Sequence, residues 1–301
     1  MTFVELKMTD SITDVSPRYP ARVAGFMLGP DTALKAAARL WFLVAVIGQW
    51  VFVYYILAFY GGSAVRGDLA AWNKVLPHGI IAGDTLGNVA IATHLLLAAI
   101  ITVGGPLQLV LGAIITGGGP PQLTPKFRAG ARPFHHWNGR IYMLTAFAIS
   151  LVGLYMVLTR GVIGGAAQHV SISLNAVLIM ICAAMALRHA LAREIGPHRR
   201  WALRLFIVVS GVWFFRVGLM LWFFLTGGIG VDFETFTGPF LTILGFAQYL
   251  LPLAILELYL RTRDRAGAPG KLAMAGGLFV VTGLMGLGIF MATMGMWLPR
   301  L

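Results

Sequence analysis

Long apolar segments alternate with short polar segments along almost the whole chain. A helix needs about 20 apolar residues to cross about 30 Å of hydrocarbon, and seven runs of that order occur. The pattern predicts an all-α fold, a polytopic transmembrane helical bundle. The predicted spans are residues 39–60, 88–116, 134–159, 162–187, 198–226, 238–260 and 272–298.

The polar segment before the first run predicts a division into two parts. Residues 1–38 carry both acidic and basic side chains and show no apolar core beside a cleavage site, so we expect a cytoplasmic arm without a signal peptide. Residues 39–301 are predicted to form one transmembrane domain. Spans two to five, residues 88–226, contain most of the polar side chains inside apolar runs and are the expected functional core.

Composition excludes a water-soluble enzyme. Of 301 residues, 58% are hydrophobic and only 11% are charged, whereas a soluble domain has about 25% charged residues. The net charge of +12 indicates topology rather than nucleic-acid binding, because the cations collect in the arm and in the loops after spans two, four and six. Positive loops stay inside, which predicts a cytoplasmic N-terminus and an external C-terminus in the cell inner (plasma) membrane.

Prolines and glycines refine the predicted helices. Pro133 and Pro197 precede histidine and tryptophan and are predicted to start spans three and five, because proline is favoured at a helix start. Gly104–Pro106 and Pro252 predict kinks in spans two and six. The glycines of span seven predict a packing element or a subunit contact. The single cysteine, Cys182, excludes a disulfide framework and is predicted to pack in the core.

Histidines fall at two levels on alternate spans. His94 and His169 lie in the outer parts of spans two and four, whereas His136 and His198 open spans three and five at the inner face, with His135 as the alternative to His136. Two neutral imidazoles on neighbouring helices are the usual axial ligands of b-type haem. These four residues are therefore candidate iron ligands for one or two b-type haems.

Structural roles compete with haem ligation at each position. A histidine inside a span can form an interhelical hydrogen bond, and a histidine at a helix start can contact lipid phosphate or water. Ligand and structural interpretations stand side by side for both pairs. The outer pair, His94 with His169, is favoured as the ligand pair because both inner histidines lie almost at the membrane boundary.

Arginines offer places for anionic groups. Arg140 and Arg204 follow Trp137 and Trp201 at the same spacing, which suggests a weak internal repeat. Interfacial anchoring explains these pairs, since tryptophan and arginine favour the membrane boundary. The alternative is that these arginines, together with Arg199 and Arg200 beside them, hold haem propionates, lipid head groups or a small acidic substrate.

Arg216 lies well inside span five, where a charge facing lipid costs about 3 kcal/mol or more. We expect it to face the bundle and to pair with a haem propionate near His94 and His169, or with Asp84 or Asp232 from the outer loops. Glu257, one turn before Arg261, is explained by an i,i+4 ion pair and receives no catalytic role.

Three motifs carry a resemblance to a known family. The sequence THLLLAAIITVGGPLQL in span two, HHWNGRIY at the start of span three and HRRWALRLF at the start of span five resemble a prokaryotic family of predicted multi-pass membrane proteins of unknown function. The likeness covers about residues 88–225. The family usually has arginine before the tryptophan of the first signature, where this chain has His136 directly before Trp137. The resemblance implies a membrane fold and no particular activity.

A second likeness concerns arrangement only. The order of histidines on spans two to five is similar to that of two-haem, ascorbate-reducible transmembrane cytochromes, whose ligands pair between the first and third and between the second and fourth of four central helices. The likeness implies that His94 pairs with His169, and His136 with His198.

These observations predict an electron-transfer protein that holds b-type haem on spans two to five and exchanges electrons with a quinol or another redox partner. A non-catalytic alternative is a membrane scaffold, an accessory subunit of a larger membrane complex or a small-solute transporter. Lipid is the expected surrounding in either case. An integral-membrane hydrolase is disfavoured because no helix carries paired histidines with an intervening glutamate.

Overall fold

The computed structural model describes residues 29–76, 78–116 and 125–301, and these residues are almost entirely helical. Within those ranges no β-strand occurs, and the only ladder-type pairing is an isolated antiparallel bridge between Asp232 and Thr237. The all-α prediction is confirmed. The predicted arm lies outside the described residues as far as residue 28, and its last residues already belong to the first helix.

Within the described residues eight longer helical segments follow one another, besides a short 3-10 helix at Leu69–Lys74, and we number the longer ones in order. They are α1 Pro30–Val65, α2 Thr85–Ile115, α3 Pro125–Arg160, α4 Gly165–Leu191, α5 Ile195–Val209, α6 Gly211–Thr226, α7 Pro239–Arg265 and α8 Ala268–Arg300. We call the face where α1 begins the N-side and the opposite face, where α8 ends, the C-side.

Among the described residues six segments are long and apolar enough to cross a membrane, and the pair α5 and α6, bent by 51°, makes a seventh when it is counted as one span. The prediction of about seven spans agrees with this count of six to seven, and α1 begins nine residues before its apolar run. The bend was not predicted. It lies at Ser210, whose hydroxyl donates to the carbonyl of Phe206 (2.7 Å) and accepts from the Gln49 side-chain amide (2.9 Å). A serine and glycine pair inside an apolar run is the sequence signal for such a bend.

The predicted helix start at Pro133 is wrong. The third helix begins eight residues earlier, at Pro125, and continues through Pro133. Pro197 is the third residue of α5, where a missing N–H removes no intrahelical bond. The prediction for Pro197 is thus confirmed to within one turn, and Pro106 and Pro252 lie inside α2 and α7.

Packing divides the helices into two groups that share a boundary at Ser210. Helices α2, α3, α4 and α5 pack in sequence against one another, while α1, α6 and α8 form the second group. Two of the apolar cores follow this division: one includes Tyr142, Cys182 and Leu205, and the other includes Phe52, Trp213 and Trp297. The predicted packing role of Cys182 is confirmed, since it is free and buried.

Each of the two terminal spans contains a stretch of π-helix. The stretch in α1 covers Ile56–Gly61, and the stretch in α8 covers Thr293–Trp297. The two stretches lie together, because Tyr55, immediately before the first, has its ring centroid 6.4 Å from that of Trp297. Such single-turn interruptions occur often at functional sites.

Candidate functional site

The N-side histidines do not contribute equally. His135 is half-buried on α3, whereas His136 is exposed. His135 also lies within electrostatic range of His198 on α5. Of the two alternatives for the partner of His198, the half-buried His135 is therefore better placed than the exposed His136.

His198 is held in a defined orientation. Its Nδ1 is 2.9 Å from the carbonyl oxygen of Ala186 on α4. A carbonyl only accepts, so Nδ1 carries the proton and a neutral ring leaves the lone pair on Nε2. Metal-ligating histidines typically have this kind of second hydrogen bond.

His135 lies beside an amide network that joins α2 and α3. The side-chain amide of Asn138 donates to the Gly104 carbonyl (3.1 Å) and to Gln108 Oε1 (2.8 Å). Gln108 then points its Nε2 toward His135 Nε2 at 3.4 Å, while His135 Nδ1 is buried without a partner among the described residues. The ring of His135 is positioned, yet its ring nitrogens are not committed to strong hydrogen bonds.

The close approach of α2 to its neighbours depends on Gly105. A Cβ atom there would lie 3.1 Å from the Tyr142 hydroxyl and 3.2 Å from the Phe206 ring. The glycines of the GGP motif therefore permit tight packing of α2 against α3 and α5, which is what positions the N-side histidine pair.

The N-side arginines are largely occupied. Arg140 stacks on Trp137 at 5.0 Å and Arg204 on Trp201 at 4.6 Å, so the two signatures have similar local geometry. Arg204 also binds both carboxylate oxygens of Glu257, at 2.6 and 3.1 Å.

Glu257 thus pairs across helices with Arg204, and not with Arg261 as expected from the i,i+4 spacing. Arg200 is bound to Asp264 at 2.5 Å, whereas Arg199 is exposed. Among the described residues, Arg140 and Arg199 have no carboxylate partner, so these two are free to meet an anionic group at this face.

The C-side histidines lie at different levels of α3. His94 lies against Gly153 inside the helix, whereas His169 lies against Gly161, the residue after its end, and the seven residues from Gly153 to Arg160 correspond to about 10 Å along a helix. His169 Nε2 also accepts a hydrogen bond from the Val162 amide at 3.1 Å, whereas His94 Nδ1 is buried without a partner among the described residues. The geometry therefore favours the N-side pair over the C-side pair as a ligand pair.

The predicted carboxylate partners of Arg216 were wrong. Asp84 is bound to Arg160, and Asp232 accepts from the backbone amides of Glu234 and Thr235 in its own turn. The Arg216 guanidinium donates to the Val212 carbonyl of its own helix (3.2 Å) and lies 5.2 Å from the centre of the Phe52 ring. No carboxylate of the described residues forms a salt bridge with it.

Arg160, at the C-side end of α3, was missed by sequence reasoning. Its side chain is 5% exposed and donates five hydrogen bonds. Those acceptors are Asp84 Oδ2 (2.9 and 2.7 Å), Asn88 Oδ1 (2.7 Å) and the carbonyls of His78 (3.1 Å) and Gly79 (2.7 Å). A lone cation in loops nearly empty of cations was the available signal. The contact fixes the segment before α2 onto α3.

We expect Asp84→Asn to lower the thermal midpoint at pH 7 by a few degrees, on the order of one lost ion pair. The Gly87 amide and the Arg160 guanidinium hold the pKa of Asp84 below its ordinary value. A lowered folded-state pKa gives stability that is complete above the ordinary aspartate pKa and is lost as pH falls through the lowered value. The difference in thermal midpoint between wild type and variant should therefore narrow as the pH is lowered from 7 to 3.

Asp68→Asn is the matched control for this prediction. Asp68 caps a short helical turn at the same face by accepting from the Ala71 amide (3.2 Å), and no cation among the described residues pairs with it. Its variant should unfold like wild type throughout. A constant difference between Asp84→Asn and wild type down to pH 3 would contradict the ion-pair account.

The fold and the arrangement of its polar side chains define a multi-pass helical membrane protein. A family model described as "Predicted membrane protein (DUF2306)" matches residues 91–260. Because that match covers more than half of the chain, the protein belongs to this family. No curated protein and no solved structure matches it.

Proposed function

We propose that the protein is a membrane electron-transfer protein that holds a b-type haem between His135 and His198. The observation that carries this proposal is the orientation of His198. Its Nδ1–H is bound to the Ala186 carbonyl, so Nε2 is available at the face of the bundle where His135 lies within electrostatic range.

The donor set suits a bis-imidazole site. Haem of this type needs two neutral imidazoles, each with a free ring nitrogen. His198 offers Nε2, and His135 offers a ring whose Nε2 is 3.4 Å from Gln108 Nε2 and whose Nδ1 has no hydrogen-bond partner among the described residues. When bound, haem supplies a one-electron redox couple whose potential depends on its axial ligands and burial.

The protein's own residues have separate roles in this proposal. Ala186 and Gln108 orient the two imidazoles, and Asn138 fixes Gln108. Arg140 and Arg199 can offset a carboxylate charge at this face, because Arg204 is bound to Glu257 and Arg200 to Asp264. His94 and His169 remain candidates for a second haem, although their different levels on α3 support one haem better than two.

The electron donor that we propose is a quinol, because such a donor dissolves in the bilayer around the spans. The test of the central proposal is a visible spectrum of the detergent-purified protein, oxidised and reduced, with haem quantified as its pyridine complex. We expect sharp reduced bands and about one haem per chain. Folded, haem-free protein from cells supplied with a haem precursor would overturn the proposal and favour a scaffold or transport role.

A further inference from the structure

A second polar cluster lies in the C-side half, away from the N-side histidines, and we call it the Arg216 cluster. Its members are Arg216, Arg300, His94, Tyr55, Tyr60, Trp213 and Trp297. Arg216 is ten residues before the end of α6, about 15 Å along the helix. Its guanidinium has five N–H donors but forms one hydrogen bond, to the Val212 carbonyl. A charge at this depth is costly unless it is compensated.

The surroundings of Arg216 add positive charge and aromatic rings. Arg300, His94, Tyr55 and Tyr60 all lie within electrostatic range of Arg216, and no carboxylate among the described residues is paired with it. Four helices supply these side chains: α1, α2, α6 and α8. The cluster is therefore a cationic centre inside the membrane without an anion from the described residues.

Several buried polar atoms of this region have no partner among the described residues. They are Tyr55 Oη, Trp213 Nε1, Trp297 Nε1 and His94 Nδ1. Tyr55, Trp213 and Trp297 are at most 3% exposed and belong to one apolar core. A buried N–H or O–H without an acceptor is destabilising, so the Tyr55 hydroxyl and the two indole N–H groups mark a place where an acceptor is missing.

The chemistry of these groups selects the ligand. Guanidinium and indole N–H groups only donate, and a tyrosine hydroxyl can donate as well. The ligand must therefore accept several hydrogen bonds and carry negative charge, and a carboxylate matches a guanidinium through two parallel bonds. The aromatic rings around the charge favour a ligand with an apolar body: the ring centroid of Phe52 lies 5.3 Å from that of Trp297 and 6.4 Å from that of Tyr55.

We propose that the Arg216 cluster binds the carboxylate of an amphipathic ligand within the C-side half of the bundle. The two π-helical stretches support this location, because Tyr60 belongs to the one in α1 and Trp297 to the one in α8. The carboxylate has two possible sources, a free long-chain acid or a propionate of a haem at His94. The site is independent of the haem proposed at His135 and His198.

The test uses quenching of tryptophan fluorescence, since Trp213 and Trp297 belong to the cluster. The probe is 11-bromoundecanoate added to the detergent-purified full chain, and the matched probe is 11-bromoundecanol, which has the same chain without the charge. We expect the acid to quench at concentrations at least tenfold lower than the alcohol. Equal quenching by both probes would overturn the proposal.

Variants distinguish binding of the acid at the Arg216 cluster from its general partition into the detergent micelle. Arg216→Gln should weaken binding of the bromo acid, measured by quenching, at least tenfold. Tyr55→Phe removes only one oxygen and so is expected to fold, and it should weaken binding of the acid severalfold. Arg66 is an exposed cation at the same face, and Arg66→Gln should leave binding of the acid unchanged. Tyr55→Phe with wild-type quenching would contradict the site even if Arg216→Gln fails to fold.

The pyridine haem assay on the same variants distinguishes the two sources. A free acid predicts unchanged haem content in Tyr55→Phe and Arg216→Gln. A propionate predicts that both variants lose haem, and that the bromo acid quenches only haem-free protein. Loss of haem in His198→Ala with normal acid quenching would show that the N-side and C-side sites are separate.

Discussion

Replacing His198 with alanine is expected to lower the haem content of the purified protein on the order of tenfold or more. The variant loses the proposed axial ligand, the imidazole that is hydrogen-bonded to the Ala186 carbonyl. His135→Ala should have the same effect, because a low-spin b-type haem needs both imidazoles. The measurement is haem per chain by the pyridine complex, with the reduced visible spectrum as a second readout.

His136→Ala is the matched control, since His136 is adjacent to His135 but exposed. It should retain the haem content and spectrum of the wild type. His198→Gly in buffer with added imidazole should recover a bis-imidazole spectrum, which a merely structural role for His198 does not predict. Equal haem content in the His135, His136 and His198 variants would contradict the assignment of the ligand pair.

We expect Gly288→Leu to prevent stable assembly of α8 onto α6. A Cβ atom at Gly288 would lie 2.7 Å from both the carbonyl oxygen and a methyl group of Val217, which is itself buried. A backbone atom cannot move aside as a flexible side chain can, and overpacking costs about 1–3 kcal/mol for each small insertion. Leucine adds three more carbons, so little folded protein should survive size-exclusion chromatography.

Gly288→Ala gives a graded version of this prediction. It should lower the thermal midpoint, although the better helix propensity of alanine, about 1 kcal/mol, offsets part of the cost. Gly283→Leu on the same helix is the control, because no atom lies within 4 Å of the place that a Cβ would occupy there. If Gly288→Leu and Gly283→Leu unfold at the same temperature, the contact between α6 and α8 is not tight at this glycine.

The number and order of the spans could be predicted from sequence because the bilayer sets the length of each apolar run. The ends of the helices were harder to predict, since tertiary contacts and not hydropathy decide them. For example, α3 begins at Pro125, eight residues before Pro133. The bend at Ser210 was also missed: the adjacent Ser210 and Gly211 were its only local signal, and the hydrogen bond from Gln49 at this point depends on which helices are neighbours in space.

The candidate site could be predicted only by residue type. Two adjacent helical residues point about 100° apart, so the sequence could not decide whether His135 or His136 faces the bundle. The partners of Arg216 and Glu257 depend on which helices are neighbours in space. The sequence suggested Asp84 and Arg261, whereas the structure pairs Asp84 with Arg160 and Glu257 with Arg204.

The bend at Ser210 makes one membrane span belong to two mechanical units. The half that carries His198 packs on α4, and the half that carries Arg216 packs on α8. A single side-chain bond from Gln49 of α1 reaches the joint between them. Any rotation at this joint changes the distance between the histidine pair and the Arg216 cluster, so the angle of one broken helix sets the spacing of the two polar centres.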